Sequence, residues 1–232
     1  HGIREREDAF FSMLKQKIVD GILAIDPGVS VDNLREYGAR YPIVQCCESK
    51  EGVDLPYVGV DDEKGAYAAV SYLISTGCRR IAMANASGSF GFARLRRAGY
   101  LRALREHGIA HDPDLLLKYE FGVDSGADIA ARMLALHEPI DGVFLDYDVI
   151  AVDAQRALID AGVKVPDDIS IVGFDGSDMT LICTPRLTTV AQPAYQIGMK
   201  AAEMLFAELE GEVLQESRVT LDFELKVRQS TR

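Results

Sequence analysis

The chain has no tryptophan, four cysteines in 232 residues, eight prolines, and 25 lysines and arginines against 36 aspartates and glutamates. Each shortage excludes something. Cys46 and Cys47 are adjacent, Cys78 and Cys183 lie far off, and no CxxC occurs. That pattern is neither a disulfide framework nor a thiolate metal site, and it fits a reducing cytoplasm. The four histidines (His1, His107, His111, His137) are scattered, which argues against zinc, and no metal or cofactor is expected. No apolar run approaches the roughly 18 residues of a membrane helix, and no leader is visible. With a net charge of −11 and no basic stripe, the chain by itself is a poor polyanion binder. Its densest cationic stretch, Arg94 to Arg105, spaces five arginines helically and reads as a solvated or ligand-facing helix.

What is present is ordinary globular composition, 48% hydrophobic and 26% charged, on a length sufficient for one large domain or two lobes. Residues 4–17 place Phe10, Phe11, Leu14 and Ile18 along a helical face. A short strand (21–25) follows, ended by Asp26-Pro27-Gly28, then a helix (31–40) and strands at 42–46 and 57–60. From Asp61 a fresh strand–helix series begins. Helices are expected at 63–76, 94–106, 125–136, 149–161 and 195–210. Strands are expected at 80–85, 116–121, 141–145, 169–174 and 188–191, and the tail (218–227) alternates like one more. Strands alternating with helices imply parallel sheets, and apolar strands without polar alternation imply sheets covered on both faces.

Ligands of open parallel sheets bind outside the carboxyl ends of the strands. Those ends carry Ser87, Ser89, Phe90 and Phe92, then Arg96 in the next helix, Phe121, Asp146-Tyr147-Asp148, Asp175, and Gln192. Carboxylates, a guanidinium, an amide and aromatic rings suit a hydroxyl-rich or nucleoside-like ligand. Each has a plainer role open to it. Asp148 could cap a helix, Asp175 could cap a turn with Gly176, and Arg96 could pair on a surface. Phe121 could be core, and Gln192 could be held extended only by Pro193. No catalytic constellation emerges: 88–91 is neither a dinucleotide fingerprint nor a phosphate loop, no GxSxG occurs, and no cysteine neighbours a histidine.

The strings VPDDISIVGFD (165–175), PRLTT (185–189) and VRQSTR (227–232), with ARLRRAGYLRALREHGI (93–109), resemble the effector-binding core of LacI/GalR-type transcriptional repressors. Segment 178–198 is most similar to a cytidine-responsive branch. The resemblance implies an α/β fold like the periplasmic binding proteins, two doubly wound parallel-sheet lobes joined by three crossovers. Residues 1–60 plus 193–221 would form the N-terminal lobe, and 61–192 plus 222–232 the C-terminal lobe. It implies a small sugar or nucleoside bound between the lobes by Arg96, Phe121, Tyr147, Asp148, Asp175 and Gln192. It also implies a homodimer built on Met179, Leu181, Ile182 and Arg186, with operator DNA controlled through an N-terminal head. The family's helix-turn-helix, its hinge helix and the first strand–helix–strand of its N-terminal lobe have no counterpart in the sequence, so that lobe is expected to be incomplete. Gly176 stands where the family often has an acid. A solute receptor of a transporter, an α/β enzyme on sugars or nucleosides, and a scaffold without effector are the alternatives.

Overall fold

Largely apolar runs such as Ile43–Cys46 and Ile81–Ala86, each with one buried amide (Gln45 and Asn85), form strands buried on both faces, and helices between them supply the cover. The structure is a computed structural model describing residues 4–25, 30–87, 90–122 and 124–232, with the side chains of 4–8 left aside. The expected turn at Asp26-Pro27-Gly28, and Gly88 and Ser89 of the glycine–serine loop, lie outside the described residues.

The chain divides into two compact units, residues 1–60, 90–92 and 193–222, and residues 61–89, 93–192 and 223–232. In the first unit, strands β1 (Ile22–Ala24), β2 (Ile43–Cys46), β3 (Tyr57–Val60) and β9 (Arg218–Leu221) form one sheet in that order, each pair parallel. Helices α1 (Arg4–Lys15) and α2 (Val31–Gly38) bury Phe11, Leu14, Leu34 and Tyr37 in a cluster with Ile43 and Val53. The expected stripe on α1 is narrower than its pattern. Phe10 is 63% exposed and Ile18 61%, because Phe10 is turned about 100° from Phe11 and the helix stops at Lys15. Helix α8 (Ala194–Leu209) covers β2 and β3 through Ile197, Ala201 and Met204.

The second unit holds β4 (Ile81–Ala86), β5 (Leu116–Tyr119), β6 (Gly142–Leu145), β7 (Ser170–Asp175), β8 (Thr188–Ala191) and β10 (Glu224–Lys226). They lie in the order β10-β8-β7-β6-β4-β5. All neighbours are parallel except β10 with β8. From β4 the chain goes outward to β5 and returns to β6 on the other side of β4. The order therefore reverses between β4 and β6, the place where open parallel sheets generally bind their ligands. Helices α4 (Gly91–Glu106), α5 (Ser125–Leu134) and α6 (Asp148–Asp160) make the crossovers, and α3 (Asp62–Ser75), which precedes β4, packs on β6, β7 and β8.

Three readings from sequence change. The tail is two strands in two sheets, β9 and β10, because its pairing partner switches from β3 to β8 after Leu221. The expected unit boundaries move: Asp222 groups with the first unit as the residue after β9, and Phe90–Phe92 join it as well. Finally, a one-turn helix, α7 (Met179–Ile182), stands in what read as a loop. Among the described residues no helix is long and apolar enough to cross a membrane.

Candidate functional site

Arg96 sits on the buried stripe of α4 with Ala93, Gly99, Tyr100 and Ala103. A charge there needs partners, since burying an unpaired one is prohibitive. Gly99 makes the pairing possible: a Cβ on it would lie 2.2 Å from the Glu63 carbonyl oxygen, so α4 meets the first turn of α3 at a separation only glycine allows. Arg96 Nε then donates to Asp62 Oδ1 at 2.7 Å, and Nη1 donates to the Asp146 carbonyl and lies 3.5 Å from Asp175 Oδ1. The guanidinium stacks on the Phe174 ring, 3.5 Å from its centroid. Burial alone would lower the pKa of Arg96, but Asp62, Asp175 and Asp146 more than offset it, and the group stays charged.

Asp146 lies at the β4–β6 reversal, its N–H bonded to the Ala84 carbonyl. Its carboxylate is saturated from within: Tyr119 Oη donates to Oδ1 at 2.6 Å, and Asn85 Nδ2 and the Ala86 N–H donate to Oδ2 at 2.8 and 2.9 Å. Burial pushes Asp146 up from the usual carboxylate range, and the bonds from Tyr119, Ala86 and Asn85 oppose that. Burial likewise raises Asp62, with Arg96 opposing.

Asp175 ends β7 and differs from those two. It is 21% exposed, and its φ of 118° lies where side chains are strained. Gln192, at the end of the neighbouring β8, secures it twice: Nε2 donates to Oδ1 at 2.8 Å and the Gln192 N–H donates to the Asp175 carbonyl at 3.0 Å. Burial pushes the Asp175 carboxyl up to about 7; Arg96 pulls against this, and Asp148 adds to it. Beside this pair the rings of Tyr119, Phe121 and Tyr147 form a run of edge-on contacts, 5.5 Å from Tyr119 to Phe121 and 5.7 Å from Phe121 to Tyr147. Phe121 and Tyr147 are both half-buried.

The structure thus gathers Arg96, Phe121, Tyr147, Asp175 and Gln192 at the carboxyl ends of the second unit's strands. It treats two expected residues differently. Asp148 is fully buried: Oδ1 accepts from Thr189 Oγ1 and Oδ2 from the Ser177 N–H, both at 2.7 Å. Nor does it cap α6, whose N-cap is Tyr147. A Cβ on Gly173 would fall 2.4 Å from Asp148 Oδ1, so this carboxylate occupies space that a glycine leaves open. It braces the ends of β7 and β8. Phe92 groups with the first unit; its N–H and that of Gly91 donate to the buried Glu48 carboxylate at 3.0 and 2.7 Å, and its ring stacks on Phe90.

Asp62, Asn85, Tyr119, Glu48 and Thr189 were missed from sequence. Asp61-Asp62 reads as one acidic helix start, yet Asp61 caps Lys64 while Asp62 turns inward. Only Tyr119 carried a usable signal, its inward alternation with Leu117 along β5.

The family described as periplasmic binding protein-like domain matches residues 70–231. The transcriptional repressor CytR of Escherichia coli is 34% identical over 229 residues, covering 98% of this chain and 67% of that protein. The transcription regulator CcpA of Lactococcus lactis has a similar structure, with a TM-score of 0.91 and 28% identity over 100% of this chain and 85% of that one. A LacI family regulator from Enterococcus faecium, with bound ribose, gives a TM-score of 0.85 and 29% identity over 96% of this chain and 83% of that one. Sequence and fold agree, and the chain belongs to the LacI family of transcriptional regulators, as a periplasmic binding protein-like core.

Proposed function

We propose that this chain is the effector-binding and self-associating core of a transcriptional repressor acting in the cytoplasm, and that its effector is an uncharged, hydroxyl-bearing molecule such as a sugar or nucleoside. The observation that carries this is Asp175, a strained and partly exposed carboxylate fixed by Arg96 and Gln192 at the strand ends. Its free lone pairs suit hydroxyl donors, and the Phe121 and Tyr147 rings offer apolar edges to a sugar or base. The ribose in the Enterococcus faecium regulator belongs to the same ligand class. Ligand contacts fall to Asp175, Gln192, Phe121 and Tyr147. Arg96 orients Asp175, and Asp148 braces the strand ends from below. Phe92 is a further contact, contributed by the first turn of α4.

Self-association is assigned to α7 and its loop, where Met179, Leu181 and Ile182 are exposed apolar residues and Arg186 is an exposed cation. DNA control belongs to a separate head in a longer protein, because a core with a net charge of −11 repels phosphate backbones. Effector binding shifts the core between two geometries; moving such a balance from 1:99 to 99:1 takes about 5.5 kcal/mol of differential affinity. The chain binds and does not turn over its ligand.

A thermal-shift screen of sugars and nucleosides tests the reading, with Asp175→Ala beside the wild type. A wild-type shift lost in Asp175→Ala, with the ligand recovered unchanged, is the expected outcome. A variant that keeps the full shift overturns the site, and recovery of a converted ligand overturns the absence of turnover.

A further inference from the structure

Helix α7 has little of its own to hold it. It is four residues long, its N-cap Asp178 makes no side-chain bond, only Thr180 is buried, and Ile182 is 82% exposed. A single turn is far below the length at which a helix persists unaided. Its shape is therefore imposed from outside, in part by Gln155 of α6, whose Nε2 donates to the Pro185 carbonyl at 2.7 Å, and in part by the other end of the chain. The loop carrying α7 is closed at its base by the Leu187 N–H donating to the Thr180 carbonyl at 3.0 Å. Arg228 lies across that base: Nη1 donates to Thr180 Oγ1 at 3.0 Å on one side and to the Leu187 carbonyl at 2.6 Å on the other. The Arg228 N–H donates to Thr188 Oγ1, and the Gln229 and Ser230 N–H groups both donate to the Arg186 carbonyl. Gln229 Oε1 accepts from the Arg186 N–H. Farther along, Ser230 and Thr231 are buried against Ile171 and Thr188, which anchors the strap.

We propose that Arg228 is a positioning residue for self-association, stapling the base of the α7 loop so that Met179, Leu181 and Ile182 are presented as a preformed surface to a second copy of this chain. The proposal rests on the self-association reading above. A two-fold contact joins the same surface of both copies, and this patch carries an apolar groove together with the exposed side chains of α7. Ile182 and Met179 form one wall of this groove of about 400 Å³, and Val152, Gln155 and Ile159 of α6 form the other. Arg156 and Asp160, which also line it, provide both signs of charge on a chain that is otherwise strongly acidic. Ordering a loop on contact subtracts from affinity, and a loop already ordered by Arg228 avoids that loss.

The test measures the dimer dissociation constant by sedimentation, and urea stability at dilutions where the chain is monomeric. Arg228→Ala should weaken the dimer by about tenfold, the effect of losing one charge-assisted hydrogen bond. Thr180→Val removes the acceptor without touching the exposed surface. It should weaken the dimer similarly and add nothing to Arg228→Ala, while Arg228→Lys restores part of the affinity. Arg232→Ala is the control: that arginine bonds the Asp141 carbonyl, away from α7, so its loss should lower monomer stability and leave the dimer constant unchanged. A wild type still monomeric at high micromolar concentration overturns the self-association reading and this proposal together. A dimeric wild type with unchanged Arg228→Ala and Thr180→Val overturns this proposal alone. So does an Arg232→Ala variant that weakens the dimer as much as Arg228→Ala.

Discussion

One guanidinium cannot neutralise three carboxylates, and the Arg96 cluster divides the excess by chemistry. Asp62 takes the direct ion pair, Asp146 takes a phenol, an amide and a backbone N–H, and Asp175 is left partly open to solvent with its carboxyl near 7. A folded-state value raised above the unfolded one means that between roughly pH 4 and 7 the native state binds the extra proton. Stability from this group is thus greatest at the acid end and falls as pH rises through 7. Asp175→Asn should remove that fall, so the variant gains stability relative to the wild type between pH 5 and 8, read from urea midpoints. A constant difference across that range would contradict the assignment. A ligand that donates hydroxyls to the carboxylate should, by the same logic, bind the wild type more tightly above pH 7 than at pH 5.5.

At the scale of elements, the site depends on two strand ends and one close helix approach. β7 and β8 are neighbours in register, with Asp175 opposite Ala191, which sets Gln192 within reach of Asp175. The same two strands are bridged on their inner side by Asp148 through Thr189 and Ser177, and the segment between them folds into α7. Ligand rim and self-association surface thus share one strand–loop–strand. They should separate by mutation. Ile182→Asp, at an exposed tip, should abolish the dimer in sedimentation while leaving the unfolding free energy of the monomer within about 0.5 kcal/mol of wild type, as for substitutions that disturb no buried contact. A dimer that survives a charge at this position removes α7 from the interface.

At the scale of the whole molecule, charge decides what the rim can accept. The net charge is −11, and Arg96, the one buried cation at the rim among the described residues, is already engaged by Asp62, the Asp146 carbonyl and Asp175. The Arg96 cluster keeps a net negative charge, and a phosphate at about 8 Å from one such charge, at an effective dielectric of about 20, meets roughly 2 kcal/mol of repulsion per unit charge. Matched pairs such as ribose with ribose 5-phosphate, and cytidine with its 5′-monophosphate, should therefore show at least a tenfold preference for the uncharged member by calorimetry. A tighter-binding phosphate ester would refute the electrostatic reading.

Much of this was legible in the chain before any coordinates. Hydrophobic runs and their punctuation located the helices and strands to within a few residues, because a doubly covered parallel strand must be mostly apolar. The rule that ligands bind at strand ends selected Arg96, Phe121, Tyr147, Asp175 and Gln192 without help from a partner structure. Tertiary structure alone decided which acids face inward. Asp61 and Asp62 are indistinguishable in sequence, and so are Asp146 and Asp148 as candidates, because burial of a carboxylate depends on donors brought from Arg96, Tyr119, Asn85 and Thr189, up to several dozen residues away. It alone decided that the tail is two strands and that Arg228 meets Thr180, since pairing across 48 positions leaves no periodic trace. Local pattern is written by the nearest neighbours along the chain, whereas the fate of a polar side chain is written by whichever distant donor the fold delivers to it.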